Sequence, residues 1–376
     1  MLRVKVLIEA MCAQYGGIAT YVENLIATWP SVYPEDELHV ISSSTNPGWP
    51  AGVVAHRIPI RRPEILFRPI AQTRAVRHLV DELAPDVVLA TLPSTTLRKP
   101  TVPTAVVIYD LRHELRPDHF PLQRRILRRV SYGRGYAIAD GFIAISRRSL
   151  DDLHRLHPNT CDRPGSVAHL GADHVDAWSR MSSEPYAVAF GHHSNKNVDM
   201  VIEAWASLCG TRGADVEVPR LKVIGLSPAA RDRMVTVIES LRLTNSVELL
   251  PFLRDAEFGS IMASARIVVF PSDFEGFGLP VVESLRLGIP VVVGPDAAVL
   301  EVAGGHATVM AEWSARALSD GIVAALAWDR ERLEFAAEHG KAFTWARTVA
   351  ETRSALLHLI SEADVGQRIW KYSAEG

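Results

Sequence analysis

Cysteine is scarce. Cys12, Cys161 and Cys209 are the three in 376 residues, widely spaced and without metal-ligand pairing. That excludes a disulfide framework and a cysteine-based metal motif, and it fits a reducing, cytoplasmic setting. Excess charge is also missing: the net charge is −3 at pH 7, which argues against a general nucleic-acid binder. No apolar stretch reaches the roughly 20 residues that a bilayer-spanning helix needs. The opening MLRVKVLIEAM carries Glu9 within a short apolar run, so it reads as a first strand and not a signal peptide. There is no short-period repeat and no low-complexity segment. The full GxGxxG spacing of a dinucleotide fold is absent, which weakens any nicotinamide reading.

What is there is an alternation. Hydrophobic residues make up 48% and charged residues 22%, enough for two sizeable cores. Strand-like runs are Val4–Ile8, Leu38–Ser42, Val87–Ala90, Ala105–Tyr109, Phe142–Ile145 and Ser166–Leu170. A second series is Tyr186–Phe190, Leu221–Ile224, Val247–Leu250, Ile267–Phe270 and Val291–Val293. Helical patterns such as Tyr21–Ala27, Ile70–Leu83, Asn197–Cys209 and Ala229–Leu241 lie between them. Alternation of this kind predicts parallel sheets covered by helices, and two series predict two doubly wound α/β domains. The polar segment Gly171–Pro185 is the expected linker. Ligands of open parallel sheets sit beyond the carboxyl ends of the strands.

One stretch carries most of the chemistry: FPSDFEGFGLPVVESLRLGIPVVV, residues 270 to 293. A buried strand runs into Gly276-Phe277-Gly278, then Leu279 and Pro280. Proline suits a helix's first turn, where its missing N–H would be unpaired anyway. Gly288 and Pro290 stop the helix before the next strand. A helix entered through a glycine turn offers backbone amides and the positive end of its dipole to an anion. Glu275 stands at the strand's end. Glu283 is expected in the first helical turn, where a carboxylate could accept hydrogen bonds from a ribose diol. The ligand so described has phosphate in the middle and hydroxyls on both sides, as in a nucleotide-diphosphate sugar. The bland alternative is a plain βαβ turn with one acid complementing the dipole.

Other loops add groups. Gly16 and Gly17 open the first helix, an anion site or simply a tight turn. Tyr109-Asp110-Leu-Arg-His113-Glu puts an acid, a base and an imidazole at one strand's end, with His113 as a proton shuttle or a sugar-hydroxyl partner. Lys196 stands at a helix start, where a cation is unfavourable unless an anion binds beside it. His192 and His193 precede it; further ligands for a metal are not identifiable. Leu122 to Val130 holds Arg124, Arg125, Arg128 and Arg129 on an amphipathic pattern. It is either a solvated helix face or a lean toward an anionic membrane or acceptor.

These residues resemble the retaining GT-B glycosyltransferases of the family 4 type (glycosyl transferases group 1). Glu275-Gly-Phe-Gly-Leu-Pro-Val-Val-Glu283 is similar to that family's two-glutamate motif and Lys196-Asn197 to its KN motif. Gly16-Gly17 matches its N-terminal glycine loop and Phe343-Thr-Trp-Ala its phrase before the final helix. The resemblance implies two Rossmann-like domains facing a cleft: residues 1–172 on the acceptor side, 173–350 on the donor side, and 351–376 a helix crossing back. It implies transfer of a hexose from a nucleotide-diphosphate sugar with retention, with no cofactor and no metal. Glu283 would hold the ribose; Glu275 with Gly276, Phe277, Gly278 and Leu279 the sugar and diphosphate. Lys196, with Asn197 beside it, would stabilise the leaving diphosphate, and Leu253 would lie near the base. Gly16, Gly17 and His192 join the donor set, and Asp110 and His113 the catalytic one.

Two positions depart from the pattern. Tyr109 stands where members often have histidine, and His192 where many have arginine. The departures raise an alternative: a catalytically silent nucleotide-sugar-binding or partner protein on the same scaffold. A related epimerase or phosphorylase is a third, and nothing resembles a phosphorylase's pyridoxal-phosphate lysine. The acceptor, whether glycan, lipid-linked saccharide or small molecule, has no transferable code in the sequence. The expected setting is the cytoplasm or the inner face of the membrane.

Overall fold

The computed structural model describes residues 2–12, 16–43, 48–179, 185–212 and 217–374. Its contacts divide the chain into two units: 1–171 with 345–376, and 172–344.

In the first unit, seven parallel strands form one sheet. They are β1 (Lys5–Glu9), β2 (Glu37–Ser42), β3 (Val53–Arg57), β4 (Val87–Ala90), β5 (Thr104–Ile108), β6 (Gly141–Ala144) and β7 (Gly165–Val167), in the order β3-β2-β1-β4-β5-β6-β7. Strands β4, β5 and β6 are buried along their whole length, as expected of a sheet covered on both faces. The connecting helices are α1 (Gly16–Val32), α2 (Glu64–Leu83), α3 (Arg112–Leu115), α4 (Leu122–Ile138) and α5 (Arg147–Leu156). Strand β3 was not legible in the sequence, because VVAHR is an edge strand that is largely exposed. Helix α2 begins at Glu64 and not near Ile70: Pro69 lies inside it, losing one backbone donor without ending the helix.

The second unit holds six parallel strands: β8 (Tyr186–Phe190), β9 (Arg220–Ile224), β10 (Val247–Leu250), β11 (Ile267–Phe270), β12 (Val291–Val293) and β13 (Thr308–Val309). Their order is β10-β9-β8-β11-β12-β13. Register pairs Val268 with Val188 on one side and with Val291 on the other. Around the sheet lie α6 (Val198–Ser207), α7 (Pro228–Ser240), α8 (Asp255–Ala263), α9 (Leu279–Arg286), α10 (Ala297–Ala303), α11 (Ala315–Leu326) and α12 (Arg330–Lys341). One core joins the sheet to these helices, with Trp205, Phe270, Leu285 and Ile322 fully enclosed.

The final helix, α13 (Trp345–Ala374), groups as a whole with the first unit. Its Trp345, Val349 and Leu356 are buried. Thr348 Oγ1 donates to the His169 carbonyl at 2.7 Å, and Arg353 pairs with Asp36.

The expected linker, Gly171–Pro185, is in part ordered packing of the second unit. Asp173–Ala177 forms a 3-10 turn, Val175 is buried, Asp176 pairs with Arg286, and Trp178 packs edge-on to Phe258. The rest of that segment, 180–184, lies outside the described residues.

Candidate functional site

Strands β8 and β11 are neighbours, and their carboxyl ends feed two loops that interlock. The β8 loop makes a 3-10 turn over Ser194–Lys196, and the β11 loop carries Pro271 to Gly278. Asn195 is buried, and its Nδ2 lies 2.8 Å from Ser272 Oγ, 2.9 Å from the Phe274 carbonyl and 2.9 Å from Glu275 Oε1. Ser272 Oγ also hydrogen-bonds to Glu275 Oε1. Lys196 Nζ donates to the same oxygen at 2.5 Å and sits 4.1 Å above the centre of the Phe270 ring. Three groups therefore converge on Glu275 Oε1, while Oε2 makes none of these contacts. Lys196 is only 6% exposed. A buried ammonium needs a compensating charge, and here a carboxylate and an aromatic face provide it.

Lys196 is thus not in the first turn of α6. It closes the preceding 3-10 turn, and Asn197 follows in the left-handed region (φ 51°) before α6 begins at Val198. Asn197 Nδ2 donates to the Pro271 carbonyl at 2.9 Å, so its side chain ties the two loops together.

Gly278 caps α9 with φ 98°, a conformation that favours glycine, and Leu279 and Pro280 open the helix. Phe277 turns inward and packs edge-on to Phe343, 6.0 Å between centres. The positive end of α9 therefore lies at the carboxyl end of β11, next in sequence to Glu275. Glu283 differs from expectation. It is the fifth residue of α9, past the first turn, and only 3% exposed. Its Oε1 meets His174 Nε2 at 3.0 Å, and the His174 ring packs edge-on to Trp178. On the β9 side of the sheet, His192 and His193 lie ring to ring at 4.8 Å, with Phe252 6.3 Å from His192. Leu253 is half-buried against the core.

In the first unit, Gly16 (φ 63°) and Gly17 open α1 and are exposed. Residues 13–15, in the middle of the glycine loop, lie outside the described residues. Asp110 is half-buried and accepts from the Arg112 amide at 2.9 Å. His113 is buried, its ring edge-on to Tyr132 at 4.9 Å, and neither ring nitrogen has a hydrogen-bond partner among the described residues. Burial lowers its pKa, outweighing the nearby Glu114. Glu114 Oε1 bonds instead to His157 Nε2 at 3.0 Å. The same Glu114 Oε1 lies 3.4 Å from His113 Nε2, within ion-pair range, so it stands between the two imidazoles. Tyr109 packs against Tyr21, its hydroxyl buried without a partner among the described residues. Glu9, at the end of β1, is a buried carboxyl that the sequence did not mark. Burial raises its pKa, and Gln72 and the Met11 amide hydrogen-bond to it.

Lys196 and Glu275 are brought together, and Glu283 stands one helical turn beyond the glycine cap. The sequence missed Asn195, Ser272 and His174. Ser272 precedes Glu275 by three residues and Asn195 adjoins Lys196, but only the strand order shows that the two loops meet. Among the described residues, no group of three or more His, Cys, Asp or Glu is positioned to hold a metal ion. Nor is any helix among them long and apolar enough to cross a membrane.

Comparison with known proteins fits this arrangement. Residues 181–341 match the family model of glycosyl transferases group 1, and residues 16–160 match that of the glycosyl transferase 4-like domain. The chain belongs to the family 4 type of GT-B glycosyltransferases. Over 113 residues it is 33% identical to an O-antigen chain mannosyltransferase B of Escherichia coli, 29% of each chain. Over 165 residues it is 28% identical to a GDP-mannose-dependent alpha-(1-6)-phosphatidylinositol dimannoside mannosyltransferase of Mycobacterium tuberculosis (strain ATCC 25177 / H37Ra), 43% of this chain and 40% of that protein. These matches span less than half the length of either relative. Among solved structures, a sucrose-phosphate synthase from Thermosynechococcus elongatus aligns with a TM-score of 0.71 at 14% identity, over 99% of this chain and 100% of that one. Anabaena HepE in complex with UDP and glucose aligns at 0.68 and 17% identity, over 94% and 100%. These likenesses establish the GT-B fold.

Proposed function

We propose that the protein transfers a hexosyl group from a nucleotide-diphosphate sugar to an acceptor hydroxyl, with retention of configuration. The observation that carries this reading is the fixed Lys196–Glu275 pair beside the glycine-capped start of α9. Bond cleavage puts negative charge on the leaving diphosphate. A preorganised ammonium and a helix N-terminus are groups that stabilise such charge. Glu275 Oε2 is left to receive a sugar hydroxyl, and Glu283, sharing with His174, to receive the ribose. Phe252, with the His192 ring nearby and Leu253 next in sequence, borders the region expected for the base. The second unit is then the donor side and the first the acceptor side, where half-buried Asp110 is better exposed to an acceptor than His113.

The relatives suggest the donor. Several are named as mannosyltransferases, two of them as GDP-mannose-dependent, which makes GDP-mannose the first donor to try. The phosphatidylinositol mannoside named for those two suggests a lipid-linked acceptor met at the inner face of a membrane. No metal is assigned a role, since Lys196 and α9 supply the positive charge.

Thermal shift and nucleotide release over GDP-, UDP- and dTDP-sugars test this, with and without EDTA. The expected result is stabilisation by one nucleotide class and release that survives chelation. Binding by none of them would overturn the donor reading. Binding without release to any acceptor would favour the silent scaffold, to which Tyr109 and His192 point. Loss on chelation, restored by magnesium or manganese, would remove the metal-free mechanism.

A further inference from the structure

Helix α4 turns Tyr136 and Ile138 to the core in its second half, but its first half departs from the usual pattern. Surface helices normally turn their apolar stripe to the core. Here Leu122, Ile126 and Val130, one i, i+4, i+8 row, are 64%, 56% and 68% exposed. The half-buried side carries cations instead. Arg128 lies over the Phe120 ring at 5.0 Å and over Tyr132 at 5.8 Å, and Arg112 reaches Phe120 from α3 at 5.1 Å. Arg124 and Arg129, both exposed, border the apolar row. From 122 to 138 there are five arginines and no acid.

Helix α2 repeats the pattern at its start. Ile65, Leu66, Phe67 and Ile70 are exposed. Residues 57 to 78 hold six arginines and one acid, Glu64. Arg68 near the start of α2 and Arg128 on α4 both lie within electrostatic reach of Tyr132, so the start of α2 is close to the middle of α4. The whole chain is net negative, so this concentration is local.

We propose that this face of the first unit docks on an anionic phospholipid bilayer, with the α4 row inserted among the acyl chains and the arginines at the headgroups. Rows of exposed apolar side chains flanked by eleven arginines and a single acid, Glu64, match an interface that is apolar below and anionic above. A protein partner or a second copy would meet the apolar row equally well but gives no reason for so many arginines with so few acids. The docking surface deepens the proposed reaction, since it would bring the acceptor side to a lipid-linked acceptor, but it stands on its own observations.

The experiment is co-sedimentation of the full chain with phosphatidylcholine vesicles, with and without phosphatidylglycerol. Binding is expected only to the anionic vesicles and is expected to weaken at high salt. Losing one arginine from such a surface weakens binding about fivefold. Arg124→Glu with Arg129→Glu should therefore lower binding by more than about twentyfold. Ile126→Ser with Val130→Ser should lower it several-fold at any salt. All four positions are exposed, so both variants should fold, which circular dichroism checks. Absence of binding, or equal binding to neutral and anionic vesicles, overturns the proposal. So does a concentration-dependent dimer in sedimentation velocity that Ile126→Ser abolishes, which would give the face to a second copy. Nucleotide-diphosphate binding by the same variants without vesicles separates this from the donor reading: it should be unchanged.

Discussion

Lys196 Nζ and Glu275 Oε1 are 2.5 Å apart, and both belong to loops that leave adjacent strands, β8 and β11. The cation proposed for the diphosphate and the acid proposed for the sugar are therefore one unit. Asn195 and Ser272 hold that unit by the same carboxylate oxygen. Neither charge can be removed without disturbing the other.

Lys196→Ala should bind nucleotide-diphosphate sugar measurably but transfer at least about a hundredfold more slowly, because the ammonium helps the transition state more than the ground state. Lys196→Arg should recover only part, the guanidinium being planar and larger. Removing the lysine also strands Glu275 as an unpaired acid, so Lys196→Ala should unfold at lower temperature, and Glu275→Gln added to it should restore part of that loss. Single-turnover transfer and thermal melts measure both. Parent-like turnover would make Lys196 a structural cation.

Glu283→Ala should weaken donor affinity roughly tenfold or more, since a hydrogen bond to a charged group contributes about 1.5–3 kcal/mol. His174→Ala keeps the carboxylate and removes its protein partner. It should lower thermal stability while leaving most of the affinity. Calorimetry with the nucleotide diphosphate compares the two. Equal losses would mean that the His174–Glu283 bond is needed to aim the carboxylate; no loss in either would remove Glu283 from the ribose site.

Most of the fold was legible because buried parallel strands are runs of β-branched residues. Val87–Ala90, Val291–Val293 and Ile267–Phe270 have the boundaries the pattern gave. The edges were not. VVAHR lacks an apolar run because it is mostly exposed, and β13 is two residues long. At the site, glycine and proline announced the turn before α9, since backbone conformation is written locally. The orientation of side chains was not. Glu283 meets His174, His113 faces inward, and Asn197 ties loops, and these placements depend on residues far apart in sequence. His174 hid in a polar stretch that looked like a linker because a 3-10 turn has no periodicity to read.

Gly278→Ala should lower both stability and donor affinity. The new Cβ would lie 3.2 Å from Val299 Cγ2 at φ 98°. A side chain there costs on the order of 1–3 kcal/mol, and relief would tilt the start of α9. Gly16→Ala is the contrast. Its φ is 63°, but a Cβ meets nothing within 4 Å, so the backbone term of about 1 kcal/mol stands alone. Thermal melts and nucleotide titration of both variants decide it; a Gly278→Ala protein with parent affinity would show that the cap's position does not matter for the donor.

Arg353 ties α13 to the β1–β2 end of the first unit. Its Nε and Nη2 donate to Asp36 at 2.7 and 3.0 Å, and Asp36 also accepts from the Trp29 indole and the Val4 amide. Burial pushes the Asp36 carboxyl upward, but Arg353 and the other donors outweigh it and hold it below its ordinary value. A depressed folded pKa means the stabilisation is complete above the unfolded pKa of about 3.9 and fades as pH falls through the lower folded value. Arg353→Met would leave Asp36 buried without its countercharge, a change that costs about 3–5 kcal/mol in such pairs. That cost should be full at pH 7 and should shrink below about pH 4, where protonation relieves the stranded acid. Hydrogen exchange of the β1 and β2 amides in urea, at both pH values, reads the effect within the first unit. A loss that does not depend on pH would mean that Arg353 acts through packing on Tyr33, whose ring it also covers at 4.2 Å, and not through its charge.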